Sequence, residues 1–471
     1  MQSEEGTGQS DLQAARRLSR RDVLRGAGAG LVAASLAACG GSQSKPSGST
    51  GTSGQSSGGS SAATSGTPTY KIPQGASLSI LTWNHFVPAY DTYFDKFAQD
   101  WGSQNNVKVT VDHINNADLP TREAAEVAAR KGHDIFQFNG QIRTRLYEKD
   151  LVDVSDIVNG LIKEYGDCIP MGKNLCQVNG AWRAVPEFWI LVPPILRTDL
   201  LQQAGMSTPK TLDDAKAFAA KMKAQGHPCG IAISHCNDSN HNLRQIMWAF
   251  GASIVGQDGK TLMLDSKEMR DWLTWMQDFQ KSANSPEVFA WQDISDNQYL
   301  ASGVACYIHD AISSLRTIEP NNKQLFDNCE LLPEFVGPKR TITMPDSEAL
   351  AIWNFAPKGN IEAAKAFLWY YNTHWKENMT ASTGYNMPFF AKQFEKPMPV
   401  IGSDPKFQIL QDYTGDLIQT YGYPGPPNAA AEEVLAQYIL PDMVAKAVQG
   451  SVDDAIKFGM GAIKPIYAKY S

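Results

Sequence analysis

The densest group of potential metal ligands in the sequence lies between residues 227 and 241. The stretch HPCGIAISHCNDSNH contains two cysteines and three histidines, namely His227, Cys229, His235, Cys236 and His241. Thiolate and imidazole are the ligands that zinc and copper prefer. The spacing matches no closed zinc motif, however, and a thiolate is lost as a ligand when the cysteine is oxidised. The pattern therefore predicts neither a bound metal nor a cofactor.

One cysteine near the N-terminus, Cys39, ends a short apolar run. Paired arginines precede the run, which covers residues 26–38 and is too short for a membrane-spanning helix of about 20 residues. A basic region, a short apolar core and small residues before a cleavage point form an export signal. Residues 19–25 (SRRDVLR) resemble a twin-arginine signal, and residues 36–39 (LAAC) resemble a bacterial lipobox. We expect residues 1–38 to be an export signal and Cys39 to carry lipid.

The other six cysteines form an even set, which favours disulfide bonds in an exported protein. Six cysteines allow fifteen connectivities. Sequence neighbours are only 8, 7 and 23 residues apart, so we expect each cysteine to pair with its neighbour. The expected bonds are Cys168 with Cys176, Cys229 with Cys236, and Cys306 with Cys329.

The composition separates a tether from a folded body. Residues 40–69 contain 8 glycines, 10 serines and 5 threonines, so we expect residues 39–69 to form a lipid anchor and a disordered tether. Roughly 400 residues remain to fold, and a single hydrophobic core rarely includes more than about 300 residues. The length therefore predicts two lobes. The chain has a net charge of −7, and this acidity argues against nucleic acid as a partner.

The beginning of the body alternates between strand and helix patterns. Residues 78–83 (LSILTW) and 107–114 (VKVTVDHI) are typical of strands, and aromatic residues at helical spacing lie between them. This order predicts a parallel pair of strands. A helix near residues 122–130 and a buried strand at residues 134–138 (DIFQF) continue the pattern. In open α/β sheets, ligands bind at the carboxyl ends of such strands.

Later helices are predicted from their N-terminal caps. Thr211 and Asp214 form a close variant of the capping box, and Ser266 precedes a strongly amphipathic run. Asn360 and Ser451 are expected to cap two further helices.

Three segments of the body carry motifs in a recognisable order. Residues 181–222 contain PEFWILVPPILRTDLLQQAG and PKT, residues 301–314 read ASGVACYIHDAISS, and residues 360–390 contain EAAKAFLWYY and GYNMP. In this order they resemble the extracellular solute-binding proteins of carbohydrate ABC importers, family 1, which are similar to maltose-binding protein. His309 and Asp310 depart from this pattern, because many relatives have glycine followed by a sugar-stacking tryptophan there.

The resemblance implies an α/β, two-lobed periplasmic-binding-protein-like fold of type II, with a hinge between the lobes. We expect lobe 1 to comprise residues 70–185 and 340–385, and lobe 2 to comprise residues 186–339 and 386–471. The implied protein is a monomeric lipoprotein of the cell membrane that faces the periplasm or the cell exterior. It would bind a small molecule, a saccharide, and deliver it to the permease subunits of an ABC transporter.

A sugar site needs flat aromatic rings for the apolar faces of the ring and polar side chains for its hydroxyl groups. Aromatic and polar residues adjoin in this way in several predicted loops, and four further residues are added by their position in the family pattern. The candidate ligand-binding residues are Trp83, Asn84, His85, Phe86, Asn139, Glu187, Phe188, Trp189, His309, Asp310, Ser347, Glu348, Tyr385 and Asn386.

Two alternatives stay open at this point. A secreted glycoside hydrolase would need two carboxyl groups, which Glu187, Asp310, Asp346 and Glu348 could supply. The GxSxG match at residues 54–58 lies in the Gly/Ser-rich stretch and predicts no serine hydrolase. The same two-lobed fold could also bind a different ligand, such as a polyamine or a phosphorylated polyol. Carboxylates and tryptophan would suit a polyamine, because both bind cations.

Overall fold

The structure is a computed structural model that describes residues 69–139, 143–413 and 418–470. The expected export signal, the lipid-bearing Cys39 and the tether up to residue 68 lie outside the described residues. Within the described part of the chain, no helix combines the length and the apolar character that crossing a membrane requires.

The described residues form ten strands and seventeen α-helices. The strands are β1 (Ser77–Trp83), β2 (Lys108–Ile114), β3 (Ile135–Asn139), β4 (Gln177–Val178), β5 (Ala181–Trp182), β6 (Val185–Ile190), β7 (Pro194–Arg197), β8 (Tyr307–His309), β9 (Cys329–Leu331) and β10 (Asp346–Ile352). The helices are α1 (Pro88–Asn105), α2 (Leu119–Ala129), α3 (Arg143–Leu146), α4 (Ser155–Tyr165), α5 (Pro170–Cys176), α6 (Thr198–Ala204), α7 (Leu212–Lys223), α8 (Asn237–Ala249), α9 (Lys267–Ser282), α10 (Ser295–Ala301), α11 (Ser313–Ile318), α12 (Lys323–Asp327), α13 (Lys358–Thr373), α14 (Trp375–Ala381), α15 (Ala429–Ala436), α16 (Ile439–Gln449) and α17 (Val452–Lys469).

Five strands form the larger sheet, in the order β2-β1-β3-β10-β6. The pairs β1–β2 and β1–β3 are parallel, which confirms the predicted strand–helix–strand unit. Leu78 and Ile80 of β1 are buried, since the sheet packs against helices such as α13. The later strand β10 enters antiparallel between β3 and β6. The carboxyl ends of β1 and β3 thus lie at the same edge as the start of β10.

A smaller sheet has the order β8-β7-β9, and both outer strands run antiparallel to β7. The chain passes from β6 in the larger sheet to β7 in the smaller one through residues 191–193. It returns to the larger sheet between β9 and β10. The two sheets are therefore connected by two chain segments, residues 191–193 and residues 332–345.

Three of the four predicted helix caps are confirmed. The side-chain oxygens of Thr211, Ser266 and Ser451 accept hydrogen bonds from the backbone three residues later, at 3.0, 3.2 and 3.1 Å. The prediction for Asn360 was wrong, because α13 begins two residues earlier. The Asn360 side-chain amide instead donates a hydrogen bond to Asp134 Oδ1, just before β3, at 3.0 Å. It therefore does not cap the helix.

The three predicted disulfide bonds are absent from the described residues, where all six cysteines are buried free thiols. The backbone N–H of Arg197 donates to the carbonyl of Cys306 over 2.9 Å, and Arg197 pairs with Cys329 on its other side. Cys306 and Cys329 therefore lie about two strand spacings, roughly 9–10 Å, apart. A disulfide bond requires Cα atoms within about 7 Å.

The thiols of the second expected pair, Cys229 and Cys236, have different neighbours. Cys229 Sγ donates to Asn284 Oδ1 at 3.5 Å, whereas Cys236 Sγ lies 3.2 Å from the hydroxyl of Ser239. Cys168 Sγ packs against Gly172, where an added Cβ atom would lie only 2.5 Å from the sulfur. Gly172 is one helical turn before Cys176, so Cys168 and Cys176 lie on the same side of α5 as buried thiols that are not bonded to each other.

Candidate functional site

A cleft opens where the carboxyl ends of β1 and β3 face the start of α8 and the residues after β8. The space left in this cleft is about 20 Å³, enough for little more than one water molecule. The residues that line it are Trp83, Phe86, Asn116, Asn139, Ile190, Val192, Asn237, Asp238, His241, Asp293, Asp310, Ala311, Asp346 and Tyr385. Trp83 and Asn139 are the last residues of β1 and β3, which is the edge that the sequence predicted for ligand binding.

One wall of the cleft is aromatic. The Trp83 ring stacks on His85 with centroids 5.1 Å apart and meets the edge of Phe86 at 5.0 Å. Tyr385 packs against His85 from another element, with centroids 4.8 Å apart. The indole N–H of Trp83 is buried and has no hydrogen-bond partner among the described residues. This wall offers a flat apolar surface together with an unused donor.

His85 lies behind this wall and holds it in place. Its Nε2 bonds Asn386 Oδ1 at 2.9 Å, while its Nδ1 accepts from the backbone N–H of Val87 at 2.9 Å. Burial lowers the pKa of His85 to about 4, so the ring is neutral and carries its proton on Nε2. His85 and Asn386 were both expected to touch ligand, and the structure places them in this supporting layer.

Glu187 supports the same wall through a chain of hydrogen bonds. Its carboxylate accepts from Gln137 Nε2 at 2.7 Å and from the hydroxyl of Tyr371 at 3.0 Å. Gln137 in turn accepts from the backbone N–H of Trp83 at 3.0 Å. Burial raises the pKa of Glu187 to about 7. Glu187 was also expected at the ligand, but it is placed to position Trp83.

Acidic groups also line the cleft, Asp310 from the side of the smaller sheet and Asp346 from the larger sheet. Asp310 follows β8, and its Oδ2 is buried without a hydrogen-bond partner among the described residues. Asp346 begins β10, with Oδ1 3.7 Å from His241 Nε2. Burial raises the pKa of both carboxyl groups to about 7, and it lowers the pKa of His241 to about 3. The cleft thus combines the aromatic wall with two desolvated acids, one of which, Asp310, keeps an unpaired oxygen.

Glu348 is the most completely buried of these acids. It is 0% exposed, and neither carboxyl oxygen has a hydrogen-bond partner among the described residues. It lies on β10 next to Asn139 of β3 and Phe188 of β6. Burial, followed by the charges of Asp346 and Glu187, raises its pKa well above the usual range. Glu348 therefore lies beneath the cleft, where its surroundings disfavour the charged carboxylate.

Two amide hydrogen bonds cross the cleft. Asn237 Nδ2 donates to Asn139 Oδ1 at 3.0 Å, and Asn116 Nδ2 donates to Asp293 Oδ2 at 2.9 Å. Asn116 and Asn139 belong to the part of the chain around the larger sheet, whereas Asn237 and Asp293 belong to the part around the smaller sheet. The narrow space between the walls is thus spanned by direct contacts.

Five of the fourteen candidate residues line the cleft: Trp83, Phe86, Asn139, Asp310 and Tyr385. Trp189 lies elsewhere, with its Nε1 donating to the carbonyl of Pro388 at 2.5 Å. It lines a second cavity of about 480 Å³ together with residues such as Phe394 and Tyr413.

The remaining candidates have structural contacts outside the cleft lining. Phe188 is buried within β6, and the exposed Asn84 donates from its backbone to Ile114 at 2.7 Å. The His309 ring meets Glu334 at 3.1 Å and Gln245 at 2.8 Å. Ser347 is a buried residue of β10 that pairs with Trp189.

The histidines and cysteines of residues 227–241 do not converge. His227 bonds the carbonyl of Val304 at 2.9 Å, His235 pairs with Asp442 at 2.8 Å, and His241 turns toward Tyr421. What sequence reasoning missed in this stretch is its asparagine and aspartate pair. Asn237 and Asp238 form the first turn of α8 and line the cleft. Polar residues at a helix start were the available signal.

Comparison with known proteins agrees with this architecture. Residues 92–408, more than half of the 471, match the family model of bacterial extracellular solute-binding proteins. Among curated proteins, no match to the sequence was found.

Solved structures share the fold at low sequence identity. Maltose-bound MalE3 of T. maritima is 17% identical, with a TM-score of 0.72, over 83% of this chain and 100% of that one. A sugar transporter protein of Arthrobacter chlorophenolicus A6 with bound laminaribiose is 16% identical, with a TM-score of 0.72. The match covers 83% of this chain and 99% of that one. A solute-binding protein of Agrobacterium radiobacter K84 in complex with ribitol is 19% identical, with a TM-score of 0.69. The match covers 84% of this chain and 100% of that one.

These similarities confirm the expected α/β, two-lobed periplasmic-binding-protein-like fold of type II. The family match extends from α1 to the segment after α14 and includes both sheets except for β1. By this match, the chain belongs to the family of bacterial extracellular solute-binding proteins.

Proposed function

We propose that this protein captures a saccharide in the cleft and delivers it to the permease of an ABC importer. The observation that carries the proposal is that the Trp83 and Phe86 rings line one cleft with the buried acids Asp310 and Asp346. Aromatic rings pack on the C–H face of a pyranose, while buried carboxyl and amide groups bond its hydroxyls. The structures with maltose, laminaribiose and ribitol support a ligand rich in hydroxyl groups.

Capture in this cleft requires the two lobes to separate. A space of about 20 Å³ admits no pyranose, so the walls must part before a sugar enters and close again around it. We assign residues 70–190 and 340–385 to lobe 1, and residues 194–339 and 386–471 to lobe 2, which moves the expected end of the first lobe from residue 185 to residue 190. Because β6 (Val185–Ile190) belongs to the larger sheet, the hinge of the first crossover is assigned to residues 191–193.

The anchoring of this binding protein follows from its N-terminal sequence. Export after the signal of residues 1–38 and lipid attachment at Cys39 would hold the body near the membrane, on a tether extending to residue 69. A monomer on such a tether could turn its cleft toward the permease subunits. The acids of the cleft are assigned to binding, without catalysis and without a cofactor.

A thermal-shift screen tests the proposal. We would use the full chain carrying Cys39→Ser and screen monosaccharides, oligosaccharides, polyols, phosphorylated polyols and polyamines. A ligand at about 100 times its dissociation constant adds roughly 2.7 kcal/mol to the free energy of unfolding, which gives a clear rise in melting temperature. A rise with one saccharide class, without release of reducing sugar on long incubation, supports the proposal. A rise with polyamines alone, or turnover of an oligosaccharide, overturns it.

A further inference from the structure

Three carboxyl groups on the floor of the cleft form a compact cluster. Asp238 belongs to the first turn of α8, Asp296 belongs to α10, and Asp310 follows β8. One carboxyl oxygen from each of the three lies within 4.8 Å of the other two. Oxygen ligands of one Ca²⁺ ion lie 2.3–2.6 Å from the metal, so two of them are at most about 5 Å apart. The spacing of the cluster therefore fits a single cation.

Two of the three acids are buried, Asp238 is partly buried, and their main charged neighbours are other acids. Asp296 and Asp310 are only 2% and 4% exposed, and the Oδ2 atoms of Asp238 and Asp310 have no hydrogen-bond partner among the described residues. After burial itself, the main charges that raise the pKa of Asp238 and Asp296 are those of other acids, including Asp310 and Asp293. Buried carboxylates that face one another are costly unless protons or a cation neutralise them.

Asn242 is the candidate for a neutral oxygen ligand. Asn242 follows Asp238 by one helical turn on α8 and is 2% exposed. Its Nδ2 donates to the carbonyl of His309, the residue before Asp310, at 2.9 Å. Its Oδ1 is buried and has no hydrogen-bond partner in the described part of the chain. Hard cations take carboxylate and amide oxygens as ligands, and Asn242 shares α8 with Asp238 while its Nδ2 bonds the residue before Asp310.

A nearby acid shows the contrasting arrangement. Asp293 Oδ1 accepts from the backbone N–H of Asn237 at 2.6 Å, and its Oδ2 accepts from Asn116 Nδ2 at 2.9 Å. Both oxygens of Asp293 are thus satisfied by N–H donors, as expected for a structural carboxylate. Asp238 and Asp310 each keep a free oxygen.

We propose that Asp238, Asp296 and Asp310, together with the amide oxygen of Asn242, bind one Ca²⁺ ion at the floor of the cleft. All four donors are oxygen atoms, which favours Ca²⁺ over zinc or copper. The site shares Asp310 with the cleft of the proposed function, but its test measures Ca²⁺ binding without any organic ligand, so the failure of one proposal can be told from the failure of the other.

The test is a titration of the full chain with CaCl₂ after treatment with a chelator. We expect calorimetry to show one Ca²⁺ bound per chain and the melting temperature to rise. Asp296→Asn and Asp310→Asn should each weaken Ca²⁺ binding about 100-fold, because each removes one of three charged ligands. Asp271→Asn, which changes an exposed acid paired with Lys267 on α9, is the matched control and should bind Ca²⁺ as the wild type does.

A second measurement on the unaltered protein keeps the test independent of the variants. Tb³⁺ replaces Ca²⁺ at oxygen sites, and excitation of Trp83 or Tyr385, which line the same cleft, should sensitise its luminescence. Excess CaCl₂ should displace the signal. The proposal is overturned if the wild type shows neither binding heat nor luminescence that Ca²⁺ displaces, or if Asp296→Asn and Asp310→Asn bind Ca²⁺ with wild-type affinity.

Discussion

Asn237 at the start of α8 donates a hydrogen bond from Nδ2 to Oδ1 of Asn139, the last residue of β3, over 3.0 Å. The two residues come from parts of the chain built around different sheets, 98 positions apart. Together with the bond from Asn116 to Asp293, this contact holds the walls of the cleft against each other. Ligand entry must break both bonds, so they oppose opening and favour the state with the narrow cleft.

Asn116→Ala should shift the protein toward a more open form. The change removes one hydrogen bond across the cleft, worth about 1 kcal/mol, and leaves Asp293 with an unpaired oxygen. We expect the radius of gyration from small-angle X-ray scattering to increase and the affinity for the captured ligand to fall about fivefold. Asn321→Ala, which removes an amide bonded only within its own exposed turn, is the control. An unchanged radius together with unchanged affinity would contradict the prediction.

Trp83→Ala should remove most of the ligand affinity. The ring is the central member of the aromatic wall, and its indole N–H is a buried donor without a partner among the described residues. Loss of a buried tryptophan at a binding site reduces the binding free energy by about 2 kcal/mol or more, which increases the dissociation constant about 30-fold. Calorimetry with the ligand found in the screen measures this. Near-wild-type affinity would remove Trp83 from the site.

Trp189→Ala should act on stability rather than on binding at the cleft. Its side chain is 0% exposed, and its Nε1 bonds the carbonyl of Pro388. A buried tryptophan reduced to alanine typically lowers the free energy of unfolding by about 3–5 kcal/mol. Urea unfolding gives this value, and calorimetry gives the ligand affinity of the folded fraction. Severe loss of ligand affinity at unchanged stability would instead place the binding site at the 480 Å³ cavity that Trp189 lines.

Asp346 should make the ligand-free protein less stable as the pH rises. Its pKa is raised from 3.8 to about 7 in the folded state by burial. The folded protein therefore holds this proton longer than the unfolded chain, and stability is lost as the pH increases from about 4 to about 7.

Asp346→Asn isolates this contribution from those of other titrating groups. We expect the variant to match the wild type near pH 4 and to be more stable by a few kcal/mol at pH 8, since each unit of pKa shift is worth about 1.4 kcal/mol. Urea unfolding of both proteins at each pH measures the difference. A difference that does not vary with pH would count against a buried, proton-binding Asp346.

All six cysteines of the body should react as free thiols once the protein is unfolded. The structure holds Cys168, Cys176, Cys229, Cys236, Cys306 and Cys329 as buried thiols. We expect no labelling by a thiol reagent in the native protein and six labels per chain in guanidinium without reductant, using the Cys39→Ser chain. Peptide mass mapping identifies the labelled positions. Fewer than six labels without reductant, restored to six by reductant, would reveal disulfide bonds.

The sequence alone determined the local elements of this protein. The alternation in β2, the aromatic spacing of α1 and the caps at Thr211, Ser266 and Ser451 depend on neighbours within a few residues, so they are readable from the order of amino acids. The parallel β1–β2 pair followed from the same order. The motif order also gave the family and the type II fold.

The tertiary structure decided which of the polar and aromatic residues meet. Trp83 and Trp189 both adjoin polar residues in the sequence, but only Trp83 lies at the strand edge that faces α8. Asp238, Asp296 and Asp310 are up to 72 positions apart and come together only because α8, α10 and β8 converge on one point. The same applies to the cysteines, because β7 lies between Cys306 and Cys329. Local periodicity fixes the faces of helices and strands, whereas distances between them depend on how the whole chain packs.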